Sequence, residues 1–238
     1  MAAGSRNRKK AFSFRRGPAK AAAHLRKGNE ALRARNLSAA LRSYDAALDE
    51  DPRNPYAWNN KGIVLETLGR TLEALKCHNR AIAARPHCVE AYVNKAIALL
   101  HLGNYEQAHA SLDIALELAP DNELAWLDRG VAFAREGRTE EALACFERAL
   151  EIDPGCALAL MDKGSALAAL GRYQEALECY DKVLETRPHF ADAWFHKGRI
   201  LIEAGHAHGA IGCFEKALEL SPRFATARAL LDQAQGAG

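Results

Sequence analysis

The stretch ELAWLDRGVAFAREGRTEEALACFERALEIDPGC, residues 123–156, contains within 34 residues the pattern that decides the fold. Its proline recurs at a constant interval of 34 residues, as Pro52, Pro86, Pro120, Pro154, Pro188 and Pro222. An interval that recurs without a slip indicates internal repeats rather than chance. With the proline at position 32, the repeats are residues 21–54, 55–88, 89–122, 123–156, 157–190 and 191–224.

Several other positions of the repeat hold one type of residue. Position 4 holds all three tryptophans, position 20 is always alanine, and position 15 is glycine except for Arg35 in the first repeat. Position 8 is glycine except for Ala96, and position 24 is tyrosine or phenylalanine except for His78 and Leu112. Positions 4, 8 and 11 share one face of a helix, as do positions 20, 24 and 27, because a helical turn takes about 3.6 residues.

Each repeat is therefore predicted to be a hairpin of two helices. Small residues at positions 8 and 20 allow the two helix axes to approach closely. Glycine at position 15 supplies the positive φ that ends the first helix. Proline at position 32 ends the second helix, because it has no N–H to donate. A single hairpin cannot bury its own apolar face, so we expect the hairpins to stack on their neighbours.

The repeat resembles that of the tetratricopeptide repeat (TPR) family. The resemblance is carried by the later alanine, aromatic and proline positions and by the pattern W-x-x-[KR]-G, found as Trp58–Gly62, Trp126–Gly130 and Trp194–Gly198. It covers residues 21–224. It implies an all-α fold, a right-handed superhelical solenoid of antiparallel helix hairpins whose first helices line a concave groove. We expect residues 225–238 to form a capping helix and a frayed C-terminus.

The composition excludes several classes of protein. No stretch is long and apolar enough for a membrane span, and the N-terminus lacks the apolar core of a secretory signal. Six cysteines in 238 residues without such a signal favour a reduced protein, which we expect to be cytoplasmic. His206 and His208 alone are too few to indicate a metal site. No nucleophile or nucleotide-binding motif is present, so we predict no catalytic residue, no metal and no cofactor.

Charge is distributed unevenly along the chain. There are 32 basic and 30 acidic residues, but residues 1–20 contain seven basic residues and no acidic one. We predict that residues 1–20 form a disordered basic tail, whose candidate anion-binding residues are Arg6, Arg8, Lys9, Lys10, Arg15 and Arg16. One interpretation is that the tail binds nucleic acid or an anionic membrane surface. In the others it is a targeting segment, or an inert tail that rests against the acidic remainder of the chain.

The groove face is predicted from helix geometry, because positions 6 and 9 lie opposite positions 4, 8 and 11. The predicted peptide-binding residues are Asn29, Asn60, Val93, Asn94, Leu127, Asp128, Met161, Asp162, Phe195 and His196. Apolar members would form pockets, while amides would hold a peptide main chain, as in the asparagine ladders of some TPR proteins. Asp128 and Asp162 favour a partner that carries Lys or Arg. The alternative is that these polar residues are only solvated.

Two charge patterns in the repeats bear on known kinds of ligand site. A carboxylate clamp like that of TPR co-chaperones is rejected, because its cationic positions fall on Leu25, Glu90 and Asn94. Position 7 is basic in every repeat, as Lys27, Lys61, Lys95, Arg129, Lys163 and Lys197. These residues form either a stripe for an anionic ligand or, as we favour, side chains that cover a neighbouring helix and pair with carboxylates at position 25.

The function predicted from the sequence is that of a non-enzymatic adaptor that captures a peptide or protein segment in its groove. We expect a monomer, because residues 225–235 cap the end of the array. The alternative is binding of nucleic acid or of an anionic membrane surface through the basic tail, with the array as a scaffold. No small-molecule substrate is expected.

Overall fold

The computed structural model describes residues 16–236, which form thirteen α-helices and no strand. The helices are α1 Arg16–Arg33, α2 Leu37–Glu50, α3 Pro55–Thr67, α4 Thr71–Ala84, α5 Val89–His101, α6 Tyr105–Leu118, α7 Glu123–Arg135, α8 Thr139–Ile152, α9 Ala157–Ala169, α10 Tyr173–Thr186, α11 Ala191–Glu203, α12 Ala207–Leu220 and α13 Ala225–Gly236. The all-α fold predicted from the sequence is thus confirmed. The chain divides into two compact halves after Pro120, which are described separately below.

Within each half, the helices pair first inside a repeat and then with the next repeat. α1 packs against α2, α3 against α4 and α5 against α6 in the N-terminal half. In the C-terminal half, α7 packs against α8, α9 against α10 and α11 against α12, and α13 covers α12. The first helices of neighbouring repeats also touch, α1 with α3 and α3 with α5, and likewise α7 with α9 and α9 with α11. First helices therefore line a shared face in each half.

The turn inside each hairpin has a common geometry. Gly137 has a φ of 77°, and its N–H donates to the carbonyl of Ala134, while the N–H of Arg138 donates to the carbonyl of Phe133. This pair of hydrogen bonds satisfies carbonyls that the end of α7 would leave without donors. Arg35 occupies the same position in the first repeat with a φ of 55°, as the one non-glycine residue with positive φ among those described. The predicted role of position 15 is confirmed.

The proline at position 32 ends each second helix and also joins successive repeats. α4, for example, ends at Ala84, two residues before Pro86. The carbonyl of Pro52 accepts a hydrogen bond from the Trp58 indole N–H at 2.9 Å, and the carbonyl of Pro188 accepts one from Trp194 at 2.9 Å. Tryptophan at position 4 therefore ties the start of one repeat to the turn that closes the previous one.

The closest contact inside the hairpin joins position 8 to position 24. The ring of Phe146 is 1% exposed and lies against Gly130, where an added Cβ would be 2.4 Å from the Phe146 Cε1 atom. Equivalent contacts occur in four other repeats, at Gly28–Tyr44, Gly62–His78, Gly164–Tyr180 and Gly198–Phe214. The third repeat differs at both positions together, with Ala96 and Leu112, both fully buried. The small side chain at one position therefore matches the bulk at the other.

The first helix begins earlier than the sequence pattern predicted. α1 starts at Arg16, so residues 16–20 belong to a helix rather than to the tail that we placed at residues 1–20. Pro18 is tolerated because it lies in the first turn, where its missing N–H would have no helical acceptor. The ammonium of Lys20 lies 3.5 Å from a carboxylate oxygen of Glu50, which fastens this extension to α2. Residues 1–15 lie outside the described part of the chain.

We expect Gly130→Ala to destabilise the C-terminal half by about 1–3 kcal/mol, because its methyl group would overlap the Phe146 ring. The measurement is urea unfolding followed by circular dichroism. Gly212→Ala is the control, since Gly212 lies within α12 with no neighbouring atom within 4 Å of an added Cβ. This control should be neutral or stabilising by about 0.5–1 kcal/mol, because alanine is the better helix former. Equal destabilisation by both substitutions would contradict the close contact.

Candidate functional site

Three of the basic residues at position 7 form ion pairs between neighbouring repeats. The ammonium of Lys61 lies 2.6 Å from Asp45, that of Lys163 lies 3.0 Å from Glu147, and Lys197 pairs with Asp181. Each pair joins the first helix of a repeat to the second helix of the preceding one. The Lys61 ammonium also lies 5.5 Å from the centre of the Trp58 ring. The predicted pairing with position 25 is confirmed for these three lysines, so they do not form a stripe available to an anionic ligand.

Asn29 is the acceptor that links the first two repeats on the groove face of the N-terminal half. Its Oδ1 atom accepts hydrogen bonds from the Tyr44 hydroxyl and from the Asn60 amide, both at 2.9 Å. Burial raises the pKa of Tyr44, which keeps the phenol protonated as a donor. Two of the predicted groove residues are thus brought together, and both are half-buried.

A second polar cluster joins the next pair of repeats and was not predicted. Asn59 is buried, and its Oδ1 atom lies 3.1 Å from His78 Nδ1 and 3.0 Å from the donating Nδ2 of Asn94. His78 is fully buried, and this desolvation lowers its pKa to about 4, so the imidazole is neutral at physiological pH. The signal in the sequence was that position 5 and position 24 both become polar in the same repeat.

These contacts determine what can bind to the side-chain amides of Asn60 and Asn94, which we name the amide face. Asn60 and Asn94 use their Nδ2 groups to hold neighbouring asparagines, which fixes the orientation of both side chains. Their carbonyl oxygens are left as acceptors for an N–H group of a ligand. The N-terminal half therefore presents oriented amide acceptors without a formal charge at these positions.

The C-terminal half has carboxylates at the corresponding position. Burial and the neighbouring charge of Asp162 raise the pKa of Asp128 to about 7, and burial raises the pKa of Asp162 to about 6. Within the described residues, neither carboxylate has a cationic partner in an ion pair. The two acids project from α7 and α9, the first helices of adjacent repeats. Repulsion and poor solvation together make this a place where a cation would be favourable.

An open cavity of about 290 Å³ adjoins this acid pair. Asp162 and Ser165 of α9 contribute its polar atoms together with Arg135 and Thr139, and its remaining surface is mostly apolar. The apolar lining consists of Val131, Ala134, Phe146, Ala166 and Ala169. Alanines at three of these positions leave the space that larger side chains would fill. We name the acid pair Asp128 and Asp162 together with this cavity the α7–α9 groove.

Other predicted groove residues lie in different surroundings. Val93 is 6% exposed and Leu127 is 5% exposed, so the prediction that they line an open surface is wrong: position 5 turns toward neighbouring helices. Met161 is half-buried, and its backbone carbonyl accepts a hydrogen bond from the Tyr180 hydroxyl at 3.2 Å. The remaining two, in α11, belong to an aromatic cluster, described next.

Phe195 and His196 pack against Tyr180 of α10 and against Phe224, which lies in the turn before α13. The Phe195 ring lies 4.7 Å from that of Phe224, and the His196 ring stacks on Tyr180 at 5.9 Å between centroids. Burial and the charge of Arg199 lower the pKa of His196. On α11 the groove face is therefore covered by packed rings, and position 6 holds His196 instead of a carboxylate.

Three further observations limit the chemistry of the chain. Residues 16–236 contain no cluster of three or more His, Cys, Asp or Glu side chains suited to a metal ion. No helix in that range combines the length and apolar character that crossing a bilayer requires. All six cysteines are free, and burial raises the pKa of the Cys145 thiol to about 11.

The predicted tail residues Arg6, Arg8, Lys9, Lys10 and Arg15 lie outside the described residues, and Arg16 is the first residue of α1.

The buried imidazole predicts acid sensitivity of the N-terminal half. Its pKa is about 4 in the folded chain and 6.5 in the unfolded chain, so the unfolded state binds more protons between these values and stability falls as pH decreases through that window. His78→Phe should remove this loss and be about 2 kcal/mol more stable than the wild type at about pH 4.5. Thermal unfolding at about pH 7.5 and 4.5 measures the difference. His87→Gln, in an exposed turn, is the control; parallel pH profiles for His78→Phe and wild type would refute the assignment.

The acid pair predicts the opposite dependence for the C-terminal half. The folded pKa of Asp128 is about 7 against an ordinary 3.8, so its folded state retains a proton that the unfolded state has released, and stability falls as pH rises through this window. Asp128→Asn imitates the protonated acid. At about pH 8 it should be more stable than the wild type by about 2 kcal/mol, and the difference should vanish near pH 4. Glu178→Gln, on the exposed face of α10, should show no such crossover.

The repeats and the fold have known counterparts. A family model described as tetratricopeptide repeat matches residues 25–87, 68–123 and 94–157. Two more models with that description match residues 129–193 and 167–234. Among curated proteins, none matches this chain with significant sequence similarity.

Solved structures share the architecture at low sequence identity. PilW, a type IV pilus biogenesis factor, is 21% identical with a TM-score of 0.82, over 89% of this chain and 98% of that chain. A chain of the APC/C hetero-tetramer Cut9–Hcn1 is 22% identical with a TM-score of 0.82 over 97% of this chain, which spans only 46% of that chain. YrrB, described as a TPR protein with an unusual peptide-binding site, is 22% identical with a TM-score of 0.58, over 78% of this chain and 96% of that chain.

These likenesses agree with the structure of the repeat itself. The hairpins, the glycine turns and the contact between position 8 and position 24 recur along the described chain. The matches to the repeat models overlap from residue 25 to residue 234. The chain therefore belongs to the tetratricopeptide repeat family.

Proposed function

We propose that this protein is a non-enzymatic scaffold that holds a segment of a partner protein against its first helices. Repeat arrays of this family serve in general as scaffolds for protein–protein interaction. The observation that supports a specific site is the α7–α9 groove, where a largely apolar cavity of about 290 Å³ adjoins two carboxylates without a cationic partner. Such a combination of an apolar pocket with a few polar groups is typical of a binding site.

The charge of the groove indicates which side chain it prefers. Lys or Arg placed between Asp128 and Asp162 would relieve their repulsion and replace the solvent that burial removes. A carboxylate from a ligand would be repelled by the negative charge that the pair carries and would be rejected. The preferred partner therefore carries a basic side chain next to an apolar one, which the cavity accepts.

The amide face of the N-terminal half, taken by itself, suits the main chain of an extended ligand. The carbonyl oxygens of Asn60 and Asn94 are oriented by their own hydrogen bonds, so a peptide N–H group would find acceptors that need no further ordering. Main-chain recognition of this kind adds affinity without selecting a sequence. We assign selectivity to the α7–α9 groove and main-chain binding to the amide face. The peptide-binding site of YrrB offers a precedent for peptide capture on this fold.

Selection of random peptides displayed on phage against the full chain tests the proposal. We expect enrichment of peptides with Lys or Arg within a few residues of an aromatic or aliphatic side chain. The double variant Asp128→Asn with Asp162→Asn should bind a selected peptide about tenfold or more weakly, because the buried charge partners of the ligand are lost.

A matched control separates this effect from a general change of charge. Glu178→Gln with Glu185→Gln removes the same two negative charges from exposed positions of α10 and should leave the affinity unchanged. Selection of acidic peptides, or equal binding by both double variants, would count against the assigned site.

A further inference from the structure

Two exposed leucines lie one helical turn before the acid pair. Leu124 on α7 and Leu158 on α9 are 50% and 58% exposed, which makes them the most exposed large apolar side chains described in the C-terminal half. Residues four apart are neighbours on one face of a helix. Leu124 therefore shares a face of α7 with Asp128, and Leu158 likewise shares a face of α9 with its own aspartate, Asp162. The two leucines extend the α7–α9 groove beyond its acids.

The same two helix faces continue from the acids to the cavity. Val131 of α7 and Ser165 of α9 follow the acids by three residues, and both line the cavity. Each helix thus carries, in order, an exposed leucine, a carboxylate and a part of the cavity wall. Because a helix rises about 1.5 Å per residue, the leucine lies about 6 Å before the acid, and the cavity wall of α7 extends from about 4.5 to about 10 Å beyond it.

Charge and shape assign a different ligand side chain to each of these places. Arg135, the last residue of α7, belongs to the cavity wall, so a basic side chain in the cavity would meet a like charge. An apolar side chain there would contact Val131 and Phe146. Cavities of about 150 Å³ with apolar walls accept benzene, and this one measures about 290 Å³. The groove therefore favours a cation at the acids, with one apolar side chain in the cavity and another on the leucines.

An extended ligand matches these intervals. Alternate side chains of an extended chain point to the same side and lie about 6.6–6.8 Å apart, which is close to the rise of about 6 Å from leucine to acid. A basic residue at the acids would thus bring the residues two positions before and after it to the leucines and to the cavity. A helix, about 10–12 Å across, would hold its axis farther from the half-buried acids than an extended chain, which neighbouring chains approach to about 4.7–4.9 Å.

The other first helices lack this order of side chains. Among the first helices of the described repeats, leucine followed four residues later by aspartate occurs only in α7 and α9. The side chain of Tyr56, at the leucine position of α3, is already engaged by Arg85, which binds its hydroxyl group. The residues at the leucine and acid positions elsewhere are Ala22 and Arg26 in α1, Tyr56 and Asn60 in α3, Glu90 and Asn94 in α5, and Asp192 and His196 in α11.

We propose that the α7–α9 groove recognises an extended segment of a partner protein with the pattern apolar–x–basic–x–apolar, in which one apolar side chain packs on Leu124 and Leu158 and the other enters the cavity. The basic side chain lies between Asp128 and Asp162. This inference rests on the proposed function and deepens it, because it adds a second apolar subsite and fixes the order and spacing of the three recognised side chains.

The leucine subsite is tested with the tightest-binding peptide that display on the full chain selects. Leu124→Ser with Leu158→Ser should weaken binding of this peptide about fivefold or more in fluorescence anisotropy, because an apolar contact is lost. Both side chains are exposed, so the urea midpoint should stay near that of the wild type. Leu72→Ser with Ile114→Ser, at exposed positions of α4 and α6, is the matched control and should leave the affinity unchanged.

The spacing is tested by permuting the same peptide. Moving either apolar residue by one position keeps the composition and charge of the peptide but turns that side chain to the opposite side of an extended chain. Each permuted peptide should bind the wild-type chain about fivefold or more weakly. The aligned sequences of the selected peptides should also show apolar residues two positions before and after Lys or Arg.

The outcomes separate this inference from the proposed function. If the leucine variant binds the selected peptide as tightly as the wild type, or if the apolar residues recur at the helical spacing of four, the inference is wrong. The proposed function still stands in that case when Asp128→Asn with Asp162→Asn weakens binding. If no peptide is selected, or if the selected peptides bind equally well without the two carboxylates, both are wrong.

Discussion

The contact between the glycine at position 8 and the ring at position 24 is the constraint on which the rest of the array depends. A ring lying on a bare glycine backbone brings the two helices of a hairpin close together, as Gly130 and Phe146 show. This closeness buries the small residues around it, including the alanines at position 20, which are fully buried. The hairpins then present matching surfaces that the next repeat covers, and ion pairs such as Lys163–Glu147 join one repeat to the next.

Variation at this contact creates the polar character of the N-terminal half. His78 replaces the ring, and its imidazole needs a hydrogen-bonding partner inside the hairpin, which Asn59 provides. Asn59 in turn orients Asn94 on the groove face. His78 in the core thus influences the orientation of Asn94 on the groove face, because both side chains hydrogen-bond to the same Oδ1 atom of Asn59. A buried polar atom is costly unless it is hydrogen-bonded, which explains why the changes at positions 5 and 24 occur in the same repeat. Asn59 satisfies the Nδ1 atom of His78, whereas the buried Nε2 atom has no partner within residues 16–236.

The C-terminal half keeps its rings and instead places carboxylates on the groove face. Because stacking brings α7 and α9 into contact, Asp128 and Asp162 are held near each other and partly out of water. The pKa shifts of the two acids imply lower stability at neutral pH, and the same physical effect underlies the cation preference that we propose for the site. The proposed binding site therefore coincides with a part of the fold that is destabilised by its own charges. A bound cation would recover the stability that the charged acid pair loses.

The sequence by itself determined the repeats, their hairpins, the turn at position 15 and the end of the second helix at the proline. These features depend on local periodicity, on backbone conformation and on a fixed interval between residues. The candidate site could be predicted only in part: the place of position 6 on the groove face stays a prediction, whereas Val93 and Leu127, which we expected on an open surface, are buried. The cavity beside Asp162 and the network around Asn59 were decided by the tertiary structure. Both depend on the shapes of side chains that neighbouring repeats bring together, and the spacing of residues within one repeat does not predict those contacts.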